Sequence, residues 1–245
     1  MNKNRYTTID VIRGLAVVSM IIYHTVWDLV YIFNINLPFY RSSGAHIWQQ
    51  SILWTFVIIS GFCVNMGRKK LKRAVTVIIC STVISLATYI FMPRNLILFG
   101  VLTFLGFAML ITSLTDKLLT KIPSFFGLVI SFLLFVFTRN ISEGVIFFSV
   151  ALPDILYCNN LTAFLGFPPP SFVSQDYVPL FPWIFLFLCG YFLNQSFRKT
   201  EHLKILSLLK CRPLEFFGRH SLQIYMLHQP LIYGILLVLL KAFSI

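Results

Sequence analysis

The sequence predicts an all-α fold, a polytopic membrane helical bundle of about seven transmembrane helices with a cytoplasmic N-terminus, occupying residues 1–245 as a single domain. Three observations carry that prediction. Of 245 residues, 58% are hydrophobic and 11% charged, with 26 Phe and a mean hydropathy of +0.82, whereas a soluble globular domain carries about 25% charged residues. The apolar residues fall into runs near the roughly 20 residues of helix that a bilayer requires. The 20 Lys and Arg, set against 8 Asp and Glu, sort by side once those runs are placed, which makes the basic balance a matter of orientation rather than of nucleic-acid binding.

The first run, 9-IDVIRGLAVVSMIIYHTVWDL-29, opens a span over 11–33. It is not a cleaved signal peptide: it contains Asp28 and meets no small-residue cleavage site before the polar and aromatic 30-VYIFNINLPFYR-41. Further spans are predicted over 47–66, 74–92, 96–114, 123–138, 178–197 and 221–240, separated by Pro, Gly, Asn or charge clusters. Within 141–173 the apolar 145-VIFFSVALPDILY-157 is broken at Pro153-Asp154, the pattern of a re-entrant or interfacial segment. In 201-EHLKILSLLK-210 the apolar residues recur at helical spacing, which predicts a helix on the membrane surface. The five Cys at 63, 80, 158, 189 and 211 show no CxxC or zinc-type spacing, and no metal site is expected.

With the N-terminus inside, 16 of the 20 basic residues fall on the cytoplasmic side, and only Arg41, Arg94, Arg139 and Lys241 fall outside. One missed or extra span would scramble the later loops. The topology makes 139–177 the longest outer loop and 198–219 a basic cytoplasmic loop.

Ionisable residues inside such a bundle are functional candidates, because each costs about 2.5–3.5 kcal/mol near the bilayer centre. Arg13 and His24 are eleven residues apart, so they lie within about 20° of the same helix face and about 16 Å apart along it. Asp28 follows His24 at i+4, within reach of an imidazole N–H. The bland readings are a snorkelling Arg13, a His24 that only bonds neighbouring helices, and an Asp28 in the outer interface. His228 lies eight residues past His220, about 12 Å deeper, and is followed by Gln229 and Pro230; its alternative is a structural hydrogen bond. Asp176, Tyr177 and Trp183 flank the entry to the sixth span, where aromatics form an interface belt or, beside a carboxylate, a sugar site. A small transporter or flippase would also bury His, Asp and Arg, but an internal repeat would accompany it more often and none is visible.

The Arg13–His24 spacing, preceded by Asp10 in "IDVIRG" and joined by 56-FVIISGF-62, resembles the start of the membrane acyltransferase-3 family. The segments 97-ILFGVLTFLG-106, 176-DYVPLFPWIFLFLCG-190 and 218-GRHSLQIYMLHQP-230 resemble the catalytic domain of the heparan-alpha-glucosaminide N-acetyltransferase family in a short bacterial form. The resemblance implies an integral membrane acyltransferase, in the bacterial cytoplasmic membrane, moving acetyl from cytoplasmic acetyl-CoA to a hydroxyl or amine of an extracytoplasmic sugar or glycan. It matches Arg13 to a CoA-linked arginine, His24 to the essential first-helix histidine and His228 to the last-helix histidine. Relatives carry "FGxLH" where this chain reads 99-FGVLT-103, so Thr103 stands in place of a histidine.

The chemistry suits those residues. CoA is an anionic carrier approaching from the side where Arg13, Arg68 of the 68-RKKLKR-73 cluster and Arg219 concentrate positive charge. A mid-membrane histidine such as His24 takes the acceptor's proton as it attacks the thioester, or is itself transiently acylated. The topology has a direct test. Lys70→Cys is expected to react with a membrane-impermeant thiol reagent only after the membrane is opened, and Ser142→Cys on intact cells; the reverse pattern overturns the sidedness.

Overall fold

The computed structural model describes residues 6–67, 69–199 and 206–242. Within them the chain is mostly helical, and five helices are long and apolar enough to cross a membrane: Thr7–Tyr31, Ser43–Met66, Lys70–Phe91, Ser124–Glu143 and Ser221–Ala242. The chain divides into two compact units, Met1–Phe56 with Glu201–Ile245, and Val57–Thr200.

The first unit is built on α1 (Thr7–Tyr31), the start of α2 (Ser43–Cys63), and two C-terminal helices. We number the remaining helices in chain order, so these two are α9 (Arg212–Arg219) and α10 (Ser221–Ala242). α1 turns Ile12, Leu15 and Ile22 outward and buries Asp10 and Asp28. That inversion of the soluble pattern is expected where the surrounding solvent is lipid. α9 lies along the first half of α1 in backbone contact. A Cβ on Gly14 would sit 1.9 Å from the Leu214 carbonyl oxygen, and a Cβ on Gly218 1.9 Å from that of Asp10. The reciprocity, 14 with 214 and 10 with 218, shows antiparallel helices meeting through small residues. The Leu209 N–H, donated to Thr8 Oγ1 at 3.1 Å, ties the approach to α9 to the same end of α1. At the other end Tyr40, in the turn Pro38–Arg41, packs with Val30, Ala45, Tyr23 and Trp27.

The second unit contains the end of α2, then α3 (Lys70–Phe91), α4 (Val101–Leu114), the single turn α5 (Asp116–Leu119), α6 (Ser124–Phe137), the short α7 (Asn160–Leu165) and α8 (Trp183–Lys199). α3 pairs with α4, and α6 with α8. α3 presents Leu71, Val75, Ile79, Val83, Leu86 and Ile90 outward, an apolar stripe at helical spacing, while Ala74 and Ser81 face in. α2 and α8 repeat the backbone contact of the first unit: Gly61 stands against the Phe187 carbonyl and Gly190 against that of Ile58.

Two expected spans begin later than their apolar runs. Residues 96–100 are not helical, because their backbone pairs sideways with 174–178: Gln175 N–H donates to Leu96 O, Val178 N–H to Phe99 O, and Leu98 N–H to Ser174 Oγ. The sixth span starts at Trp183, since Pro179 and Pro182 hold the preceding residues out of the helix. The segment 141–173 is neither a span nor a plain loop. It holds a two-residue antiparallel hairpin, β1 (Val145–Ile146) with β2 (Val150–Ala151), then α7, which Asn159 caps by accepting from Leu161 N–H and Thr162 N–H at 2.9 Å. The hairpin tip puts Phe147 and Phe148 at φ 50° and 68°, a left-handed conformation that costs a non-glycine residue about 1–2 kcal/mol. Of 201–210, residues 201–205 lie outside the described residues, so the expected surface helix is not tested there.

On the second unit a polar network joins the starts of α3 and α5 to the middle of α8. Lys70 Nζ donates to Asp116 Oδ2 at 2.8 Å, and Tyr191 Oη to Asp116 Oδ1 at 2.8 Å. Burial on its own would raise the Asp116 carboxyl, but the bonds from Lys70 and Tyr191 outweigh it and hold the group below its ordinary value.

Two outcomes follow for unfolding in detergent. Gly14→Ala and Gly218→Ala are each expected to lower stability by about 1–3 kcal/mol through overpacking, whereas Gly234→Ala, with nothing within 4 Å of its Cβ, is neutral or stabilising by up to about 1 kcal/mol. Equal melting temperatures for all three would show that the close contact does not hold α1 to α9. Asp116 has a depressed carboxyl, so its contribution is present above its unfolded value of about 4 and lost as pH falls through the folded value. Asp116→Asn is therefore expected to cost up to about 1 kcal/mol at pH 7, with the difference from wild type closing on acidification below about pH 4.

Candidate active site

The first unit brings together polar side chains from two membrane helices. α1 carries His24 and Asp28, α10 carries His228 and Gln229, and the two imidazole rings lie with centroids 4.9 Å apart. Tyr23 meets the edge of His24 at 5.8 Å, and Tyr225 lies 5.4 Å from His228. His24 is half-buried, and Asp28 and His228 are buried, Asp28 to 1% exposure.

The protonation of one ring follows from its partner. His228 Nδ1 lies 2.6 Å from the Tyr225 carbonyl oxygen. A carbonyl only accepts, so Nδ1 carries the hydrogen and Nε2 of the neutral ring carries the lone pair. That Nε2 is buried with no hydrogen-bond partner. Asp28 Oδ1 receives a long bond of 3.5 Å from Gln229 Nε2, and Asp28 Oδ2 and Gln229 Oε1 have no donor. All three unpartnered atoms are acceptors, each costing about 1–3 kcal/mol if left so.

The i+4 spacing predicts that Asp28 orients His24. The structure instead gives Asp28 to Gln229 across to α10, and His24 faces His228. A helix side chain four residues on is only one of the neighbours within reach, and the amide on α10 is a donor to the carboxylate. Gln229 is the site residue that spacing alone does not single out. Its signal is its position between His228 and Pro230, where the missing N–H of Pro230 leaves the Met226 carbonyl without its helical donor.

The predicted cation positions have different surroundings. Arg13 is half-buried on α1, eleven residues before His24. Arg219 is held by two carboxylates, its Nη2 2.6 Å from Glu215 Oε2 and its Nε 3.8 Å from Asp10 Oδ2, both acids buried. Arg68 lies outside the described residues.

The outer candidates belong to the second unit, where their polar atoms serve the fold. Asp176 Oδ2 accepts from the Val101 N–H at 3.2 Å, capping α4. Tyr177 Oη donates to the Ala163 carbonyl at 2.5 Å, and the Trp183 ring lies 5.6 Å from that of Phe135. Burial pushes the Tyr177 phenol well above its ordinary range. Thr103, where relatives carry histidine, is half-buried in the first turn of α4.

A family model described as the catalytic domain of heparan-alpha-glucosaminide N-acetyltransferase matches residues 5–230. The match runs across both units. No curated protein and no solved structure matches the chain.

Proposed function

Because the chain belongs to the heparan-alpha-glucosaminide N-acetyltransferase catalytic-domain family, we propose that it takes acetyl from acetyl-CoA on the cytoplasmic side and passes it to an amine or hydroxyl of an extracytoplasmic sugar or glycan. The observation that carries the reading is the His24–His228 pair, 4.9 Å between ring centres, with the lone pair of His228 Nε2 unengaged. Both rings lie within membrane-spanning helices, where an ionisable pair is costly unless it is used.

In this reading His228 Nε2 accepts the proton of the attacking N–H or O–H as the new N–C or O–C bond forms at the thioester carbonyl. The carbonyl π electrons move to oxygen, then return as the C–S bond breaks, and the proton passes to the departing CoA thiolate. His24, beside it, orders the second reactant, or carries the acetyl group transiently on a ring nitrogen. Asp28 Oδ2 and Gln229 Oε1 receive the acceptor's other donors. An acceptor with several N–H or O–H groups on adjacent carbons satisfies all three atoms, as sugars and amino sugars do.

Arg13 is assigned to a phosphate of CoA. Arg219 is a poorer ligand for phosphate, since Glu215 and Asp10 already offset its charge, and its role is to hold α9 on α1. Arg68 adds to the basic surface that draws the anionic carrier. Asp176, Tyr177 and Trp183 shape the outer segment through the contacts described above and are second-tier candidates for contact with the acceptor sugar. The protein resides in a bacterial cytoplasmic membrane.

The test uses purified protein in detergent with labelled acetyl-CoA and a panel of amino sugars and neutral sugars. His228→Ala and His24→Ala are each expected to lower transfer by about 10²–10⁴-fold with acetyl-CoA affinity and melting temperature near wild type. Arg13→Ala is expected to weaken acetyl-CoA binding by about 1.5–3 kcal/mol, with less effect on an analogue lacking the contacted phosphate. Fully active histidine variants would remove the site, and sugar flux through proteoliposomes without acetyl transfer would replace the enzyme with a transporter.

A further inference from the structure

Only part of the membrane-length span Ser124–Glu143 is α-helix. Its helical part, Ser124–Phe137, has 14 residues and rises about 21 Å at 1.5 Å per residue, against a hydrocarbon core of about 30 Å. Yet its outer surface is fully apolar: Phe125, Phe126, Ile130, Phe132, Leu133 and Leu134 are exposed. The rest of the span, through the turn Ile141–Glu143, lies beyond Phe137.

The chain after α6 does not leave. It turns through Arg139 and Glu143, both exposed, and folds back, so that the N–H of Phe147 donates to the carbonyl of Phe137 at 2.8 Å. The rings of Phe147 and Phe148 lie 5.1 and 5.9 Å from that of Phe137. The hairpin tip is thus level with the last helical residue, on the membrane side of the two charged residues. Phe147 is 53% exposed, Phe148 66% and Val150 53%, an apolar patch continuous with the lipid-facing surface of α6.

Backbone can enter hydrocarbon only if its polar groups are paired. Much of the hairpin backbone is paired internally: Ile146 pairs with Val150 and Val145 with Ala151 across the hairpin, Val145 N–H donates to Asn140 O, Ser149 N–H to Ile146 O, and Leu152 N–H to Gly144 O. The left-handed backbone at both Phe147 and Phe148 directs two aromatic side chains outward from the tip, a strain that a water-facing loop would relieve by placing Gly or Asn there.

We propose that the 145–151 hairpin is embedded in lipid, with Phe147, Phe148 and Val150 among the acyl chains of the leaflet at the C-terminal end of α6, completing the crossing that the helix leaves unfinished. Arg139 and Glu143 then lie at the headgroup level, and the rest of the long segment to Pro182 starts from the membrane surface. This assignment depends on α6 crossing the bilayer and not on acetyl transfer.

The test uses the unmodified full chain in nanodiscs of phosphatidylcholine doped with a lipid whose acyl chain bears a carbene-generating group, with adducts located by mass spectrometry. A parallel sample receives a water-soluble carbene reagent. Adducts on 145–151 from the lipid reagent are expected in yield comparable to those on 125–134, with labelling by the aqueous reagent severalfold lower. A hairpin labelled mainly from water overturns the proposal. So does one labelled by neither reagent, which would mean that protein covers it.

Discussion

Lipid removes the force that packs helices in water. Apolar side chains gain nothing by leaving acyl chains for one another, so helices in a membrane are held by close van der Waals contact and polar bonds. In this protein that contact is made backbone to backbone, with Gly14 on Leu214 and Gly218 on Asp10. The rest of the first unit depends on it. α9 is fixed along the first half of α1, one break at His220 leads from α9 into α10, and α10 therefore meets α1 at a register that faces His228 to His24. A side chain at either glycine would push α9 outward and move the start of α10 with it. The Gly61 and Gly190 contacts between α2 and α8 use the same device in the second unit.

Polar groups inside the first unit divide into satisfied and unsatisfied sets. Asp10 and Glu215 both pair with Arg219 where α9 joins α1. Trp48 Nε1 gives its hydrogen to Ser19 Oγ at 2.7 Å. At His228, Asp28 and Gln229 the balance fails on one side only, with acceptors in excess. A purely structural cluster in hydrocarbon would be expected to pair acceptors with donors, because nothing else is present to do so.

Each of the seven expected spans contains a helix, five of them long and apolar enough to cross a membrane, because a bilayer favours apolar runs of about 20 residues and tolerates local detail. Their starts were not legible. Leu96–Gly100 reads as the beginning of an apolar helix, and only pairing with Ser174–Val178, some 75 residues away, draws it out of the helix. The hairpin at 145–151 was hidden for the same reason, since two-residue strands leave no periodicity. The site was half legible. Charged and imidazole side chains stand out against lipid, so Arg13, His24, Asp28 and His228 could be selected without a fold. Their partners could not, because helical spacing describes one helix, and the hydrogen bonds of Asp28 and the ring contact of His24 run to another. Asp176 has a partner of the same hidden kind: its hydrogen bond to the Val101 N–H, a helix cap, joins residues far apart in the sequence.

The bond from His228 Nδ1 to the Tyr225 carbonyl carries a stereochemical consequence for the proposed reaction. Tyr225 is three residues back on the same helix, so the bond ties Nδ1 to its own backbone and favours the orientation that offers Nε2. In that orientation a proton collected on Nε2 is also given up from Nε2. The atom that loses the proton and the sulfur that gains it then visit one point in space in turn, on the same edge of one ring. An imidazole held in this way makes the transfer a same-side exchange, and the geometry of the reactants, rather than any motion of the base, sets the order of events.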